Sequence, residues 1–325
     1  MSSDAETLAR FLGSRGQSIS PERVARNFAP VFHYTSDEAF RPISIDALKG
    51  IARLCRKAIA AREVNEDSCE PLRSFPAGTP CGGAPCEEEW IVDLPPDEYD
   101  PPAYVEIEQD LRRGEHSKPV VYWHVAKLGF RRVLSYWTYY MYNRFANLHE
   151  GDWETVQVDL TGSNSPDSVG VARWFFSSHE GGDTEPCTTI PSGCRHPDVY
   201  VAKGSHANYF TPGAHDAVAT CPKGHHCFRS PRDDQTEESA DPLELGDYEL
   251  VELKEPPFVG RYGRANLKSN WVKPLPIPDA LWSWDAPDDP RERDTWNDKP
   301  LASFEEAVGD EPPVRKWLSV SLTDD

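Results

Sequence analysis

The run His149-Glu150-Gly151-Asp152-Trp153-Glu154 places an imidazole and three carboxylates side by side. Imidazole nitrogen and carboxylate oxygen together suit a divalent cation. Read as a strand, the residues from Asp152 to Leu160 alternate: Asp152, Glu154, Val156, Val158 and Leu160 share one face, and Trp153, Thr155, Gln157 and Asp159 the other. The face with the valines must turn to the core, leaving Gln157 and Asp159 more exposed, so two carboxylates sit at its leading end, their Cα atoms roughly 6.6 Å apart by strand rise. Uncompensated like charges there would repel and raise one pKa, so a cation or hydrogen-bond donors must be present. Gly151 permits the turn that bends His149 back to the same point.

A second cluster, Lys203-Gly204-Ser205-His206-Ala207-Asn208-Tyr209, follows the apolar strand Val199 to Ala202 and presents His206 among small residues. His179 ends the run Trp174-Phe175-Phe176-Ser177-Ser178 in a comparable way. The expectation is that His149, Asp152, Glu154 and His206 converge on one divalent cation (Mg, Ca, Mn, Fe or Zn), with His149 or His206 as the base that activates bound water. Each residue also has a plainer reading. Asp152 and Glu154 could be neutralised by Arg131, Arg132, Arg144 or Arg173, and His206 could be a hydrogen-bonded core histidine. Trp153 reads as packing, His179 as loop, and His225-His226 as a surface hairpin. A Gly-rich phosphate loop, a Gly-x-Ser-x-Gly elbow and a His-Glu-x-x-His helix are all missing from the sequence, which excludes hydride transfer, kinase and standard serine-hydrolase chemistry.

These side chains need a framework, and the chain can supply one. Its 325 residues bury a real core, and an aromatic content of 11% excludes wholesale disorder. The formal charge of −20 argues against nucleic acid or an anionic membrane as partner. Acidic segments at Asp233 to Asp247 and Asp285 to Asp298 read as solvated loops. No stretch approaches the roughly 20 apolar residues of a membrane span. Met1 to Gly13 reads as a short amphipathic helix without the pattern of a secretory signal, which favours the cytoplasm. The eight cysteines pull toward an extracellular setting. Cys81 and Cys86, Cys187 and Cys194, and Cys221 and Cys227 form close local pairs, leaving Cys55 and Cys69. Disulfides are the leading reading; a zinc site of Cys187, Cys194, Cys221 and Cys227, and free thiols, are the alternatives.

One domain is expected over 1–325, mainly β of the α+β class: an antiparallel β-sandwich with a helical front over 1–63 and long ordered insertions. Ser20-Pro21 starts a helix, Ala47 to Arg62 carries Leu48, Ile51, Leu54 and Ile59 at helical spacing, and Phe28 to Pro42 between them is extended. A Pro- and Cys-rich insertion with a short helix fills 64–118. The sandwich core occupies 119–273, its strands at Val120 to Ala126, Leu134 to Asn143, Trp153 to Leu160, Val169 to Ser178, Val199 to Ala202 and Tyr248 to Leu253. A wrapped tail over 274–325 carries a short helix near Ser303 to Val308.

The stretches Tyr136 to Asn143, His149 to Glu154 and Tyr200 to Ala207 resemble the vacuolar-sorting-protein-62-related family. More remotely, the frame His-x-x-Asp-Trp-Glu is similar to that of the necrosis- and ethylene-inducing-peptide-like toxins, whose hallmark is Gly-His-Arg-His-Asp-Trp-Glu. That second resemblance implies a β-sandwich with a divalent-metal site at one end, used against sphingolipid-containing membranes. It assigns metal or metal-water contacts to His149, Asp152 and Glu154, and less directly to His206. Glu150-Gly151 replaces the toxins' Arg-His, and Asn143 and Asn147 stand where the toxins have an upstream acid. The leading functional reading is a metal-dependent hydrolase or lyase on a small substrate. The alternative is a toxin-like or lectin-like module that uses the metal to bind membrane headgroups or glycans, with Trp137, Tyr139, Asn143 and His179 contributing to binding. A structural protein without catalysis is the third.

Overall fold

A computed structural model describes residues 20–58, 65–76, 80–82, 86–95, 101–114, 116–128, 131–145, 148–161, 170–178, 181–190, 192–221, 225–253 and 260–263. The helix expected over Met1 to Gly13, the tail over 274–325, the acidic segment Asp285 to Asp298, Asn147 and His179 lie outside these residues, as do the side chains of Cys221, His225, His226 and Cys227.

Helix α1 (Pro21–Asn27) begins where Ser20 caps it: the Arg23 amide donates to Ser20 Oγ at 3.2 Å, and proline fills the first helical position. Strand β1 (Val31–Tyr34) leads to a 3-10 turn at Ile45–Gly50, then to β2 (Arg53–Ala58), β3 (Asn65–Pro71), β4 (Glu88–Asp93) and helix α2 (Pro101–Arg113). Five long strands follow: β5 (Val120–Leu128), β6 (Arg131–Asn143), β7 (His149–Thr161), β8 (Gly170–Ser178) and β9 (Gly181–Pro186). The remaining strands are β10 (Asp198–Val201), β11 (Asn208–Tyr209), β12 (Gly213–Cys221), β13 (His225–Thr236), β14 (Glu249–Glu252) and β15 (Gly260–Arg261).

The strands from β5 to β9 pair in sequence order, all antiparallel, and β14 adds a parallel edge to β5. A second sheet runs β15-β4-β2-β3 and a third β1-β10-β11, while β12 and β13 form a separate hairpin. The fold is therefore mainly β and sandwich-like, as expected, but the central sheet is covered on both faces. Val121, Trp123, Tyr136, Tyr140, Val156, Val158 and Trp174 pack against α1, β1 and β10 on one side. Trp137, Tyr139, Met141 and Trp153 pack on the other, against Phe40 to Leu54, Leu72, Val92, Leu94 and Tyr104.

Two expectations fail. Gln157 and Asp159 are buried, not exposed, and their face is satisfied across the strands: Gln157 Nε2 donates to Ser135 Oγ at 2.9 Å, and Arg173 Nε to Asp159 Oδ2 at 3.4 Å. The helix expected over Ala47 to Arg62 is a 3-10 turn followed by strand β2, because Arg53 to Ala58 pair residue by residue with Asp93 to Glu88. That long-range ladder outweighs a local helical spacing.

Three disulfides close within the described residues: Cys55–Cys69, Cys81–Cys86 and Cys187–Cys194, with Cα separations of 4.1, 5.6 and 5.2 Å. The bond between Cys187 and Cys194 removes the four-cysteine zinc reading. Disulfides persist in oxidising compartments, so the cytoplasmic lean finds no support and an extracellular setting stays open. No helix among the described residues is long and apolar enough to cross a membrane.

Candidate functional site

The first turn of β7 builds the site. Gly151 has φ +69°, and a Cβ there would overlap the Tyr262 carbonyl oxygen. No other residue type fits. The reversal sends neighbours to opposite faces. Glu150 turns toward the Tyr104 hydroxyl and the Leu94 amide, fully buried on the far face, while His149 swings to the near face beside Asp152.

The second wall is the turn after β10. Gly204 and His206 both have positive φ, +75° and +57°. Among the described residues His206 is alone in this among non-glycines, a conformation costing roughly 1–2 kcal/mol. Hydrogen bonds hold it there: Ala202 N to Ala207 O at 2.8 Å, His206 N to Ala202 O at 3.0 Å, and Arg144 N to Gly204 O at 2.8 Å. Asp234 fastens the turn from below, accepting from Ser205 Oγ at 2.7 Å and Tyr209 Oη at 2.6 Å. Asp234 is fully buried on β13, so the reading of Asp233 to Asp247 as a solvated loop fails at its start, while Glu237, Glu238, Asp241, Glu244 and Asp247 are exposed as expected.

Between these walls the polar groups meet. His206 Nδ1 lies 2.9 Å from Asp152 Oδ2, Asn143 Nδ2 donates to the same oxygen at 3.0 Å, and His149 Nε2 stands 3.8 Å from Asp152 Oδ1. Burial pushes the Asp152 carboxyl up, but the bonds from His149 and His206 outweigh it and hold the group well below the usual carboxylate range. An ionised carboxylate only accepts, so His206 carries its proton on Nδ1. The ring stacks on Tyr140, centroids 3.9 Å apart and nearly coplanar. Nε2, fully buried, finds no hydrogen-bond partner; its nearest ionic neighbour is Glu38 Oε1 at 3.9 Å. Glu38 is itself held by the amides of Phe40 at 2.9 Å and Gly204 at 2.6 Å. Glu154, further along the same face, accepts from Ser177 Oγ, which in turn accepts from Thr155 N at 2.9 Å and Asn208 Nδ2 at 3.3 Å.

Of the residues singled out by sequence, His149, Asp152, His206 and Asn143 therefore meet in one network, and Glu154 lies beside it in a second. Trp137 and Tyr139 do not belong: both are fully buried in the core on the opposite face of the sheet, because odd-numbered positions of β6 turn away from the site. They are packing, not a binding rim. Glu38, Ser177, Asn208 and Asp234 were not anticipated. Asn208 lay inside the quoted His206 cluster, and Ser177 at the end of a recognised strand; Glu38 and Asp234 come from distant segments with no local signal.

The donor set can be tested against a cation. His149 Nε2 and Asp152 Oδ1 are 3.8 Å apart, a span one ion can bridge with bonds of about 2.0–2.6 Å. His206 Nδ1 and Asp152 Oδ2 already satisfy each other. Among the described residues, the group of His, Cys, Asp or Glu whose donor atoms all lie within 4.8 Å of one another is Cys55, Cys69 and Asp93, not this pocket. The pocket thus offers two protein donors to an ion, not four.

No protein-family model matches the chain, so the resemblance to the vacuolar-sorting-protein-62-related family is without support. No curated protein matches it either. Its neighbours among solved structures are NLP proteins. A mutant of NLPPya aligns at 16% identity over 58% of this chain and 65% of that one, with a TM-score of 0.29. Necrosis and Ethylene inducing Protein 2, from the causal agent of cocoa's Witches Broom disease, aligns at 18% over 70% and 72%, TM-score 0.32. NLPPya in complex with mannosamine aligns at 13% over 73% of each chain, TM-score 0.32. Likeness this loose assigns no role to any residue.

Proposed function

We propose that this protein is a binding module in which His149 and Asp152 hold a divalent cation, and the cation grips hydroxyls of a sugar or a lipid headgroup. The observation that carries the reading is the division of labour at Asp152. One oxygen is clamped by His206 and Asn143, while the other faces His149 across 3.8 Å. The side chains of His149 and Asp152 keep 10% and 11% of their surface exposed, whereas His206 has none. An ion can thus be reached from solvent on the His149 side. Hard cations often accept one or two carboxylates from a protein and fill the remaining positions with water or ligand oxygen.

In this arrangement His206 is a positioning residue. It fixes the carboxylate in place and keeps it ionised, so that the other oxygen stays aimed at the ion. Glu38 backs the imidazole on its other side. A hydrolase or lyase is not supported. A general base must reach the proton that it removes, and His206 is enclosed, with Nδ1 engaged by Asp152 and Nε2 turned toward Glu38.

The test is calorimetric titration with Mg, Ca and Mn, followed by mannosamine and glucosamine with the ion present or chelated. Saturable cation binding that Asp152→Asn abolishes, and sugar binding that a chelator abolishes, support the reading. Failure of every cation to bind, or equal affinity in the variant, overturns it.

A further inference from the structure

A second cluster lies on the sheet β15-β4-β2-β3, away from the site above. The register Arg53↔Pro71 and Leu54↔Glu70 brings Cys55 opposite Cys69 on β3, just before the pairing shifts to Arg56↔Asn65. Asp93 arrives from β4 through the pairing Arg53↔Asp93, its carboxylate fully buried, with Oδ2 3.9 Å from Cys55 Sγ. Both sulfurs and a carboxylate oxygen of Asp93 lie within 4.8 Å of one another. A fourth donor stands at the solvent edge: Glu66 Oε2 is 4.0 Å from Cys69 Sγ, on a side chain that is 59% exposed. Arg53 already joins the two carboxylates, reaching Glu66 Oε2 at 3.2 Å and pairing with Asp93 Oδ2.

From this geometry we infer a redox-gated zinc site made of Cys55, Cys69 and Asp93, with Glu66 or water as the fourth ligand. A dithiol reductant transfers two electrons and two protons to the Cys55–Cys69 bond, becoming a disulfide itself and leaving two protein thiols. The ion then displaces both thiol protons to solvent and takes the two thiolates with Asp93. Bonds of about 2.3 Å to sulfur and 2.0–2.2 Å to oxygen suit the 3.9 Å between Cys55 Sγ and Asp93 Oδ2, and once the S–S bond is cut the two sulfurs can part to admit the ion. Thiolates select zinc over calcium or magnesium. Electrostatics agree with the exchange. Two thiolates add two negative charges, the ion adds two positive ones, and the cluster keeps the net charge it has when oxidised. Arg53, about one-third exposed, can turn outward as the ion takes over between the carboxylates. In the oxidised state the guanidinium serves as the cluster's cation, and after reduction the metal does.

Native mass spectrometry with zinc, on oxidised protein and on protein reduced by a phosphine and desalted, is the test. Other cysteines are also reduced, so the reading is the difference between wild type and the Cys55→Ser/Cys69→Ser double variant. Reduced wild type should hold one more zinc than the double variant, and the oxidised forms should not differ. Cobalt added to the reduced wild type should give a thiolate charge-transfer band that the double variant lacks. Asp93→Asn should weaken the extra site by more than the about tenfold that loss of a supporting partner costs. Because that variant disturbs a buried ion pair, the exposed Glu66→Gln provides a second reading, a smaller loss of affinity with folding unchanged. Equal zinc content in reduced wild type and the double variant, or the same extra zinc on oxidised wild type, overturns the proposal.

Discussion

Strand β7 carries two buried aspartates, and they are neutralised in different ways. Asp159 faces Arg173, both groups almost fully enclosed, with 3.4 Å between Nε and Oδ2. Asp152, seven residues earlier on the other face, faces two imidazoles and an amide, and among the described residues no lysine or arginine pairs with it. Burial pushes the Arg173 guanidinium down to about 10, which still leaves it charged at neutral pH. Asp159 therefore has a permanent cation built into the fold, and the pair needs nothing from outside. Asp152 has the His206 ring and the Asn143 amide on one oxygen, and a solvent-edge imidazole beside the other. The plain explanation weighed for Asp152 from the sequence, an arginine partner, is the one the molecule uses at Asp159. On the reading proposed above, this difference is what leaves Asp152 to an exchangeable cation.

The comparison can be broken most severely at Gly151, whose reversed backbone makes the Asp152 end unlike the Asp159 end. Gly151→Ala places a methyl into the Tyr262 carbonyl and forces positive φ on a residue that resists it. The expected loss exceeds about 4 kcal/mol, in the range reserved for strain combined with overpacking. Expression yield and the denaturation midpoint measure it. A variant within about 1 kcal/mol of wild type would mean that the 260–263 segment does not press on β7 as described.

At Asp159 the prediction concerns stability alone. Arg173→Met leaves the Asp159 carboxylate enclosed without its guanidinium and should cost about 3–5 kcal/mol by chemical denaturation. Cation and sugar binding at the far end of the strand should be unchanged. At Asp152 the balance reverses. Asp152→Asn keeps an oxygen to accept from His206, so stability should fall by only about 1–2 kcal/mol. Cation affinity should fall at least about a hundredfold, since the charged donor is gone. If both variants lose stability equally and binding only in proportion, the two aspartates are the same kind of structural residue.

Much of this arrangement was legible because it is local. The β-branched and aromatic runs of β5 to β8 announce strands, and alternation put Asp152 and Glu154 on the face of Val156 and Val158, where they lie. Gly151 also announced a turn that brings His149 back. What alternation could not show is that the other face is covered as well. Trp137 and Tyr139 looked like a binding rim until Phe40, Leu48, Leu54, Val92, Leu94 and Tyr104 are laid over their face, and Gln157 and Asp159, expected nearer solvent, are buried too. The parity rule also fails at Glu150, which shares even numbering with Asp152 yet points the other way through the glycine's positive φ. Glu38 and Asp234 reach His206 and its turn from segments far away in the chain, and nothing near them in sequence signals the contact.

The smallest expected effect separates a ligand from its support. If His206 positions Asp152 and does not touch the cation, replacing it should weaken binding without abolishing it. Alanine is a poor probe, because it would add backbone strain at φ +57° to the loss of the ring. Asparagine tolerates that conformation better than most residues and keeps a donor, so His206→Asn isolates the side-chain effect. The stacking on Tyr140 is lost, but the turn remains fastened through Ser205, Tyr209 and Asp234. Stability should change by about 1 kcal/mol, and cation affinity should drop about tenfold, as removal of a partner behind a ligand does. His149→Asn, by contrast, removes a direct donor and should cost far more affinity while leaving the fold intact. Titrating the two variants side by side decides the order. If His206→Asn loses as much affinity as His149→Asn, then His206 is itself a ligand and the carboxylate clamp is the wrong description of this end of the strand.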